Sequence, residues 1–417
     1  MNLDIDSLPD RCDVLVVGAG PAGSAAAQML ARAGRSVVVV DQQAFPRDKV
    51  CGDGLIPDAH RALARLGVLA QVMAEARSST TLTCIAPRGG RIDVPGRLAV
   101  LPRKRLDEIV CRAAVSAGAR MFAPVRFVAP IREGGGEGLV VGATLKHGDV
   151  VREVRAQWLV LASGAQPQAT LAAGICDRRT PSGIALRGYI ENAAMRSRIT
   201  SLEVVWHQRL SPGYGWIFPV GGDVFNIGVG VAQSDRQGGR HAVKHVNLRE
   251  VFAAFKDLYA PARDLVAGGR WLADAGEELK GAPLRCSLEG ARFEAPGMLV
   301  TGEAAGSTYA FTGEGIGKAM ETGIHAAEAI LAQGPGTDDA AVRADYAARV
   351  LALKPRFDMY EQANRANEHP WLIDLLVWSA KRSPRRVERM AGVLEETHIP
   401  TDAVTVRGVL RRIFDWR

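Results

Sequence analysis

Residues 14–41 read VLVVGAGPAGSAAAQMLARAGRSVVVVD, and this stretch decides the fold. Cys12 to Val17 is a continuous apolar run with little alternation, the pattern of a strand buried on both faces. Gly18, Gly20 and Gly23 follow as Gly-x-Gly-x-x-Gly, then a small-residue helix over 22–33 and a second buried strand over 36–41. Gly18 permits the tight turn, Gly20 lets the backbone approach a pyrophosphate, and Gly23 lets helix and strand pack closely. Unpaired N–H groups at the helix start, with the helix dipole behind them, favour a doubly negative group. Asp41, at the end of the second strand, can accept the hydrogen bonds of a ribose diol. Strand, turn, helix and acid in this register predict a dinucleotide site.

The rest of the chain sets the scale. Its 417 residues allow two or three domains, and 47 % apolar with 23 % charged residues is an ordinary globular mixture. Forty-five glycines against six tyrosines fit a turn-rich α/β chain and exclude coiled coil, collagen and intrinsic disorder. The net charge of +7 is spread among interleaved acids, so it makes no nucleic-acid footprint. The cysteines at 12, 51, 84, 111, 176 and 286 never form Cys-x-x-Cys, which excludes a zinc ribbon or clustered iron–sulfur site. Reduced thiols and a cytoplasmic setting are expected, with no signal peptide in residues 1–10 and no membrane span.

Helical periodicity runs over 105–117 and 313–331, and everything from about 338 onward is helical in pattern. Strands are expected near 119–129, 139–146, 150–161 and 297–301, with β-rich stretches over 80–101 and 183–231. Gly134, Gly135 and Gly136 read as a hairpin tip. The predicted architecture is a Rossmann-like α/β cofactor domain assembled from 10–80, 100–182 and 283–335. A β-sheet substrate domain takes 81–99 and 183–282, and a helical C-terminal region takes 336–417.

No second complete glycine motif follows a strand, which favours FAD over a separate nicotinamide domain. Arg103 heads a helix, where its guanidinium could reach the flavin's phosphates or ribityl chain. Residues 159–165 form a buried strand ending in small residues. Residues 299–306 repeat that design, with Glu303 offering a carboxylate to ribityl hydroxyls. Gly313-Glu314-Gly315-Ile316 then opens a helix whose N–H groups could support the flavin's pyrimidine edge.

With these motifs in order, the chain resembles flavoproteins of the geranylgeranyl reductase family, a branch of the group that includes aromatic hydroxylases and flavin-dependent halogenases. Two motifs carry the likeness. One is Pro46-Arg47-Asp48-Lys49-Val50-Cys51-Gly52-Asp53-Gly54-Leu55, similar to the family's Cys-Gly loop beside the flavin ring. The other is Tyr214-Gly215-Trp216-Ile217-Phe218-Pro219 followed by Gly228-Val229-Gly230. The resemblance implies FAD contacts at Ala22, Asp41, Cys51, Gly52, Gly54, Arg103, Val125, Glu303, Gly315 and Ile316. Many relatives carry Asp where Glu303 stands, so an extra methylene must be accommodated there.

For the reaction, the resemblance implies reduction of isolated C=C bonds in a polyprenyl chain carried by a diphosphate, lipid or quinone. Such a bond needs a hydride donor, a proton donor on the other face, and walls that exclude water. Cys51 fits as the group that positions or protonates substrate; its alternative is small apolar packing beside the ring. Tyr214 and Trp216, two apart on a strand, face one side and can wall a polyprenyl pocket. His207 reads as structural. The electron donor is NADPH or reduced ferredoxin, the latter requiring a redox partner protein. Trp371, Leu372, Leu375, Leu376 and Trp378, followed by Lys381, Arg382, Arg385, Arg386 and Arg389, suit peripheral contact with an anionic inner membrane face, or a helix packed on the body with a solvated basic side. Aromatic hydroxylation is the competing activity. Halogenation needs Trp-x-Trp-x-Ile-Pro, and Tyr214 and Phe218 stand in the wrong places. An electron-transfer adaptor would need a C-terminal cysteine cluster, and none follows Cys286.

Overall fold

The computed structural model describes residues 1–176, 179–232, 246–273, 278–289, 292–332 and 338–397. The strand β1 (Arg11–Val17) leads through α1 (Pro21–Arg32) to the parallel β2 (Val37–Val40), in register from Val14 opposite Val37 to Val17 opposite Val40. Both strands are buried on both faces, and period-2 alternation divides their side chains. Val14, Val16, Val37 and Val39 enter one apolar cluster; Leu15, Val17, Val38 and Val40 enter the other. A sheet covered on both sides has no place for a polar residue in its centre, which is why the sequence reads as unbroken valine and leucine. Each buried valine contributes about 1.5–3 kcal/mol.

Next come β3 (Gly54–Leu55), α2 (Pro57–Arg65), α3 (Leu69–Glu75), β4 (Arg77–Ile85), β5 (Arg91–Val100), α4 (Arg103–Ser116), β6 (Arg120–Phe122), β7 (Arg126–Glu133), β8 (Leu139–His147) and β9 (Val150–Leu161). The first sheet is completed by β16 (Glu294–Ala295) and β17 (Met298–Val300), in the order β16-β17-β9-β1-β2-β6. Pairings from β17 to β6 are parallel, while β7 and β8 fold back antiparallel on the long β9. Gly134, Gly135 and Gly136 all have positive φ at the β7–β8 tip.

The second sheet runs β14-β10-β13-β12-β11-β4-β5-β3. Its further members are β10 (Gly183–Glu191), β11 (Leu202–Val205), β12 (Gly213–Gly221), β13 (Val224–Ala232), β14 (Arg270–Trp271) and β15 (Lys280–Leu284), the last paired with β10. The short α5 (Pro167–Ala172) precedes them. The β-rich 183–282 stretch also carries two helices, α6 (Leu248–Leu258) and α7 (Ala260–Ala267). Val251, Phe252 and Phe255 recur at helical spacing and are buried, joining the core behind the second sheet.

One expectation needs correcting at α8, which spans Ile316–Ala332 and does not start at Gly313. Gly313 has φ +69°, a left-handed conformation that no right-handed helix includes. The described residues end in α9 (Asp339–Ala363), α10 (Arg365–Glu368), α11 (Trp371–Ala380) and α12 (Pro384–Leu394). Residues 398–417 of the expected helical region lie outside the described residues, as do 233–245 and 274–277 of the expected substrate domain.

Candidate active site

A cavity of about 980 Å³ lies between the two sheets and the tail helices. Among the described residues it is lined by Gly18, Gly20, Ala22, Asp41, Cys51, Gly52, Gly54, Arg103, Val125, Tyr214, Trp216, Glu303, Gly315 and Ile316. Gly23 alone of the expected site residues does not face it.

The glycines of the turn separate into distinct duties. Gly18 has φ +103°, and a Cβ there would stand 2.3 Å from the Ala162 carbonyl oxygen. A Cβ on Gly23 would meet the Gly18 carbonyl oxygen at 1.8 Å, so this glycine seats α1 on the turn. A Cβ on Gly20 would find only the Arg47 guanidinium, at 3.5 Å, leaving its backbone open to the cavity. Among the described residues, no side chain caps the first turn of α1. Ser163 Oγ, buried in the cavity wall, has no partner among the described residues. An open glycine, an uncapped helix start and an unsatisfied hydroxyl fit the pyrophosphate end of a dinucleotide.

Asp41 is buried beside this turn, its carboxylate accepting the Ala19 and Gln43 N–H groups at 2.9 Å each. Burial pushes its carboxyl above the usual range, against the pull of Arg47, 3.9 Å away. Arg103 lines the cavity at the head of α4. Its Nε and one Nη donate to the two oxygens of Asp107 at 2.7 and 2.9 Å, an i,i+4 ion pair that fixes the guanidinium, while its main-chain N–H donates to Asp53 at 3.1 Å. The second Nη has donors left to offer the cavity. Glu303 carries its carboxylate into the cavity, with Lys49 at 3.9 Å.

The loop at residues 51–54 is held from beneath by groups the sequence reading passed over. Asp53 is fully buried with φ +64°, and it accepts from the Tyr189 hydroxyl and from Asn226 Nδ2 at 2.8 Å. Asn226 is also fully buried. Its second amide hydrogen goes to the Cys51 carbonyl at 2.8 Å, and its Oδ1 accepts Trp216 Nε1–H at 2.9 Å. One amide therefore joins the Cys51 loop to the Trp216 indole, with its orientation fixed by three partners. A polar residue inside the apolar run Val224–Ala232 was the available signal. Burial pushes the Asp53 carboxyl up to about 6 and raises the Cys51 thiol. Cys51 keeps its proton at neutral pH.

Trp206, Tyr214, Trp216 and Phe218 form a continuous aromatic wall, with centroid spacings of 5.8, 6.3 and 6.5 Å. The neighbouring strand explains the first of the glycines that follow the aromatic motif. Gly228 lies opposite Trp216 and Gly230 opposite Tyr214 across the β12–β13 ladder. A Cβ on Gly228 would stand 2.3 Å from the indole ring. On the other face, a Cβ on Gly215 would meet the Phe255 ring at 2.6 Å, so α6 presses there. The Tyr214 hydroxyl donates to the Thr312 carbonyl, tying this wall to the loop before α8. His207 accepts the Arg209 N–H at 3.1 Å as the cap of a short helical turn, a structural role.

The tail contributes more than the sequence reading assigned to it. Ile373 and Leu376 of α11, with Met390, Val393 and Leu394, line the same cavity. Trp371 and Trp378 point outward, 43 % and 46 % exposed, and Arg382 lies 3.7 Å over the Trp378 ring. Among the described residues, no helix is long and apolar enough to cross a membrane.

Comparison with known proteins now adds to this geometry. Residues 11–260 match the model of the FAD binding domain family. A menaquinone reductase of Mycolicibacterium smegmatis is 35 % identical over 341 residues, covering 79 % of this chain and 78 % of the relative. A digeranylgeranylglycerophospholipid reductase of Methanopyrus kandleri is 31 % identical over 319 residues, covering 76 % and 79 %. Among solved structures, a geranylgeranyl bacteriochlorophyll reductase-like protein of Thermoplasma acidophilum superposes with TM-score 0.68 at 21 % identity, covering 97 % of this chain and 96 % of that one. A flavin-dependent brominase superposes with TM-score 0.72 at 20 % identity over 97 % and 98 %. At such identities these two share the fold.

Proposed function

This chain belongs to the FAD binding domain family, and from that premise we propose that it reduces isolated C=C bonds of a polyprenyl chain on a quinone or lipid. The observation that carries the reading is the continuity of the cavity. It runs from the glycine turn past Cys51 to a wall of aromatic and aliphatic side chains. FAD, when bound and reduced, supplies the hydride. Gly18, Gly20 and the start of α1 hold its pyrophosphate, Asp41 its ribose, Glu303 its ribityl hydroxyls, and Gly315 and Ile316 its pyrimidine edge. Tyr214 and Trp216 hold the prenyl chain against the ring site and exclude water from it. Cys51 presents a protonated thiol to the alkene carbon that does not receive the hydride, so that one C–H bond forms on each carbon as the π bond breaks.

The electron donor is NADPH or reduced ferredoxin, which a direct assay with each separates. The protein works in the cytoplasm, meeting its lipid substrate at an anionic membrane surface through Trp371, Trp378 and the basic residues after them.

The test is anaerobic. Dithionite-reduced holoenzyme is expected to saturate a geranylgeranyl lipid or a prenylated quinone, gaining about two mass units per bond. Cys51→Ala is expected to keep its flavin and lose most of this activity. A strict need for oxygen with a hydroxylated aromatic product would replace the reading with a monooxygenase. Unchanged turnover in Cys51→Ala would reduce the thiol to packing.

A further inference from the structure

The cavity lining divides by chemistry. One end carries the polar groups of the glycine turn, Asp41 and Glu303. The other is apolar, bounded on the sheet side by Cys84, Val94, Val204 and Trp206 and on the tail side by Ile373 and Leu394; all six belong to one apolar cluster. Met390 and Leu376 pack against that cluster and face the cavity too. Among the described residues, the tail side of this wall is held in place by polar contacts.

Three polar ties fix it. The Glu396 carboxylate, just past α12, accepts from Lys318 Nζ at 2.9 Å, Tyr309 Oη at 2.9 Å, Arg356 at 2.8 Å and Arg61 at 2.5 Å. Lys318 lies two residues beyond Ile316, so the tail is anchored on the same helix start that borders the cofactor end. Asp374 of α11 accepts the Arg88 N–H at 3.0 Å. Asn367, just before α11, accepts Trp206 Nε1–H at 2.8 Å, joining the tail to the aromatic wall itself. A buried carboxylate with four donors resists displacement, because leaving the site gives up three ion pairs and the Tyr309 hydrogen bond at once.

A rigid apolar wall at fixed distance from a reactive site measures what lies between. We propose that α11 and α12 are the size gauge of the cavity, with Leu394 and Met390 deciding how long a prenyl chain it accommodates. The inference rests on the reading of this cavity as a prenyl site and names what sets its substrate range.

Leu394→Ala removes side-chain bulk from the wall, and Leu394→Trp adds it. If Leu394→Ala loses the fold, Met390→Ala and Met390→Trp, at a half-buried position, carry the same comparison. In holoenzyme, kcat/KM is measured for otherwise identical substrates with geranyl, farnesyl and geranylgeranyl chains. The Ala variant is expected to shift the long-to-short ratio upward by about tenfold, and the Trp variant downward by as much. In parallel, geraniol, farnesol and geranylgeraniol displace a solvatochromic apolar dye from the same proteins, and their order of affinity is expected to shift in the same directions. Flavin content and melting temperature control for misfolding. Ratios that stay put in both directions, by turnover and by displacement, overturn the gauge. If wild type binds the alcohols but reduces no chain, the reductase reading fails while displacement still decides the gauge. If no alcohol displaces the dye from wild type, both fall.

Discussion

Replacing Asn226 with leucine, which has a similar volume and no polar atoms, should uncouple the Cys51 loop from the aromatic wall. The native amide satisfies Trp216 Nε1–H, the Cys51 carbonyl and one oxygen of Asp53. Asp53 retains the Tyr189 hydroxyl and the Arg103 N–H after the change, so its loss is partial. The indole N–H and the Cys51 carbonyl lose this partner in a site where Asn226 itself is fully buried. Leaving each unsatisfied costs about 1–3 kcal/mol, so the pair predicts about 2–6 kcal/mol of lost stability. Against a total of about 5–15 kcal/mol for a typical protein, that is a large fraction. Urea unfolding of the holoprotein measures the loss, and maleimide labelling of Cys51 measures loosening of its loop. Asn226→Asp separates the roles, since it keeps the acceptor for the indole but, when ionised, has no hydrogen to offer Cys51 or Asp53. Acid should then restore part of its stability by returning a donor. A destabilisation under about 0.5 kcal/mol with unchanged Cys51 labelling would refute the reasoning.

Three further outcomes follow from the geometry. Gly20→Ala should fold and melt like wild type, because Gly20 has φ −68° and only a flexible guanidinium nearby, yet bind FAD more weakly in a fluorescence titration; equal affinity would remove Gly20 from the pyrophosphate site. Burial pushes Asp58 up to about 7 and Glu314 up to about 8, so the native state holds these protons more tightly than the unfolded chain. Stability should therefore fall as pH rises from the ordinary carboxylate range through about 8, and Glu314→Gln should flatten the upper part of that decline; a melting temperature independent of both pH and this substitution would contradict it. Replacing Trp371 and Trp378 together by alanine should lower co-sedimentation with anionic vesicles about tenfold while sparing the melting temperature, and equal co-sedimentation would deny these side chains a membrane role.

The cofactor turn was legible because its signals are local. A positive φ at Gly18, close packing at Gly23 and an apolar run that tolerates no polar residue are each demanded within a few positions of the chain. The same holds for the spacing of Tyr214 and Trp216, since strand geometry places alternate residues on one face. The sequence could not show why Gly228 accompanies them; that reason lies across a ladder, where the indole covers the opposite strand. Nor could it show that Asp107, one helical turn on, holds the Arg103 guanidinium in place at the cavity wall.

What the sequence determined by itself is the glycine turn with its flanking strands and helix, because hydrophobic period, turn conformation and helix start are properties of neighbouring residues. Only the tertiary structure decided which distant groups share the cavity. Asn226 meets Asp53 across 173 positions, and Glu396 meets Arg61 across 335. Such pairs leave no periodic trace, since nothing in the local physics of either segment specifies its partner. They are fixed when burial forces each polar group to find whatever complementary atom the packed fold brings within reach.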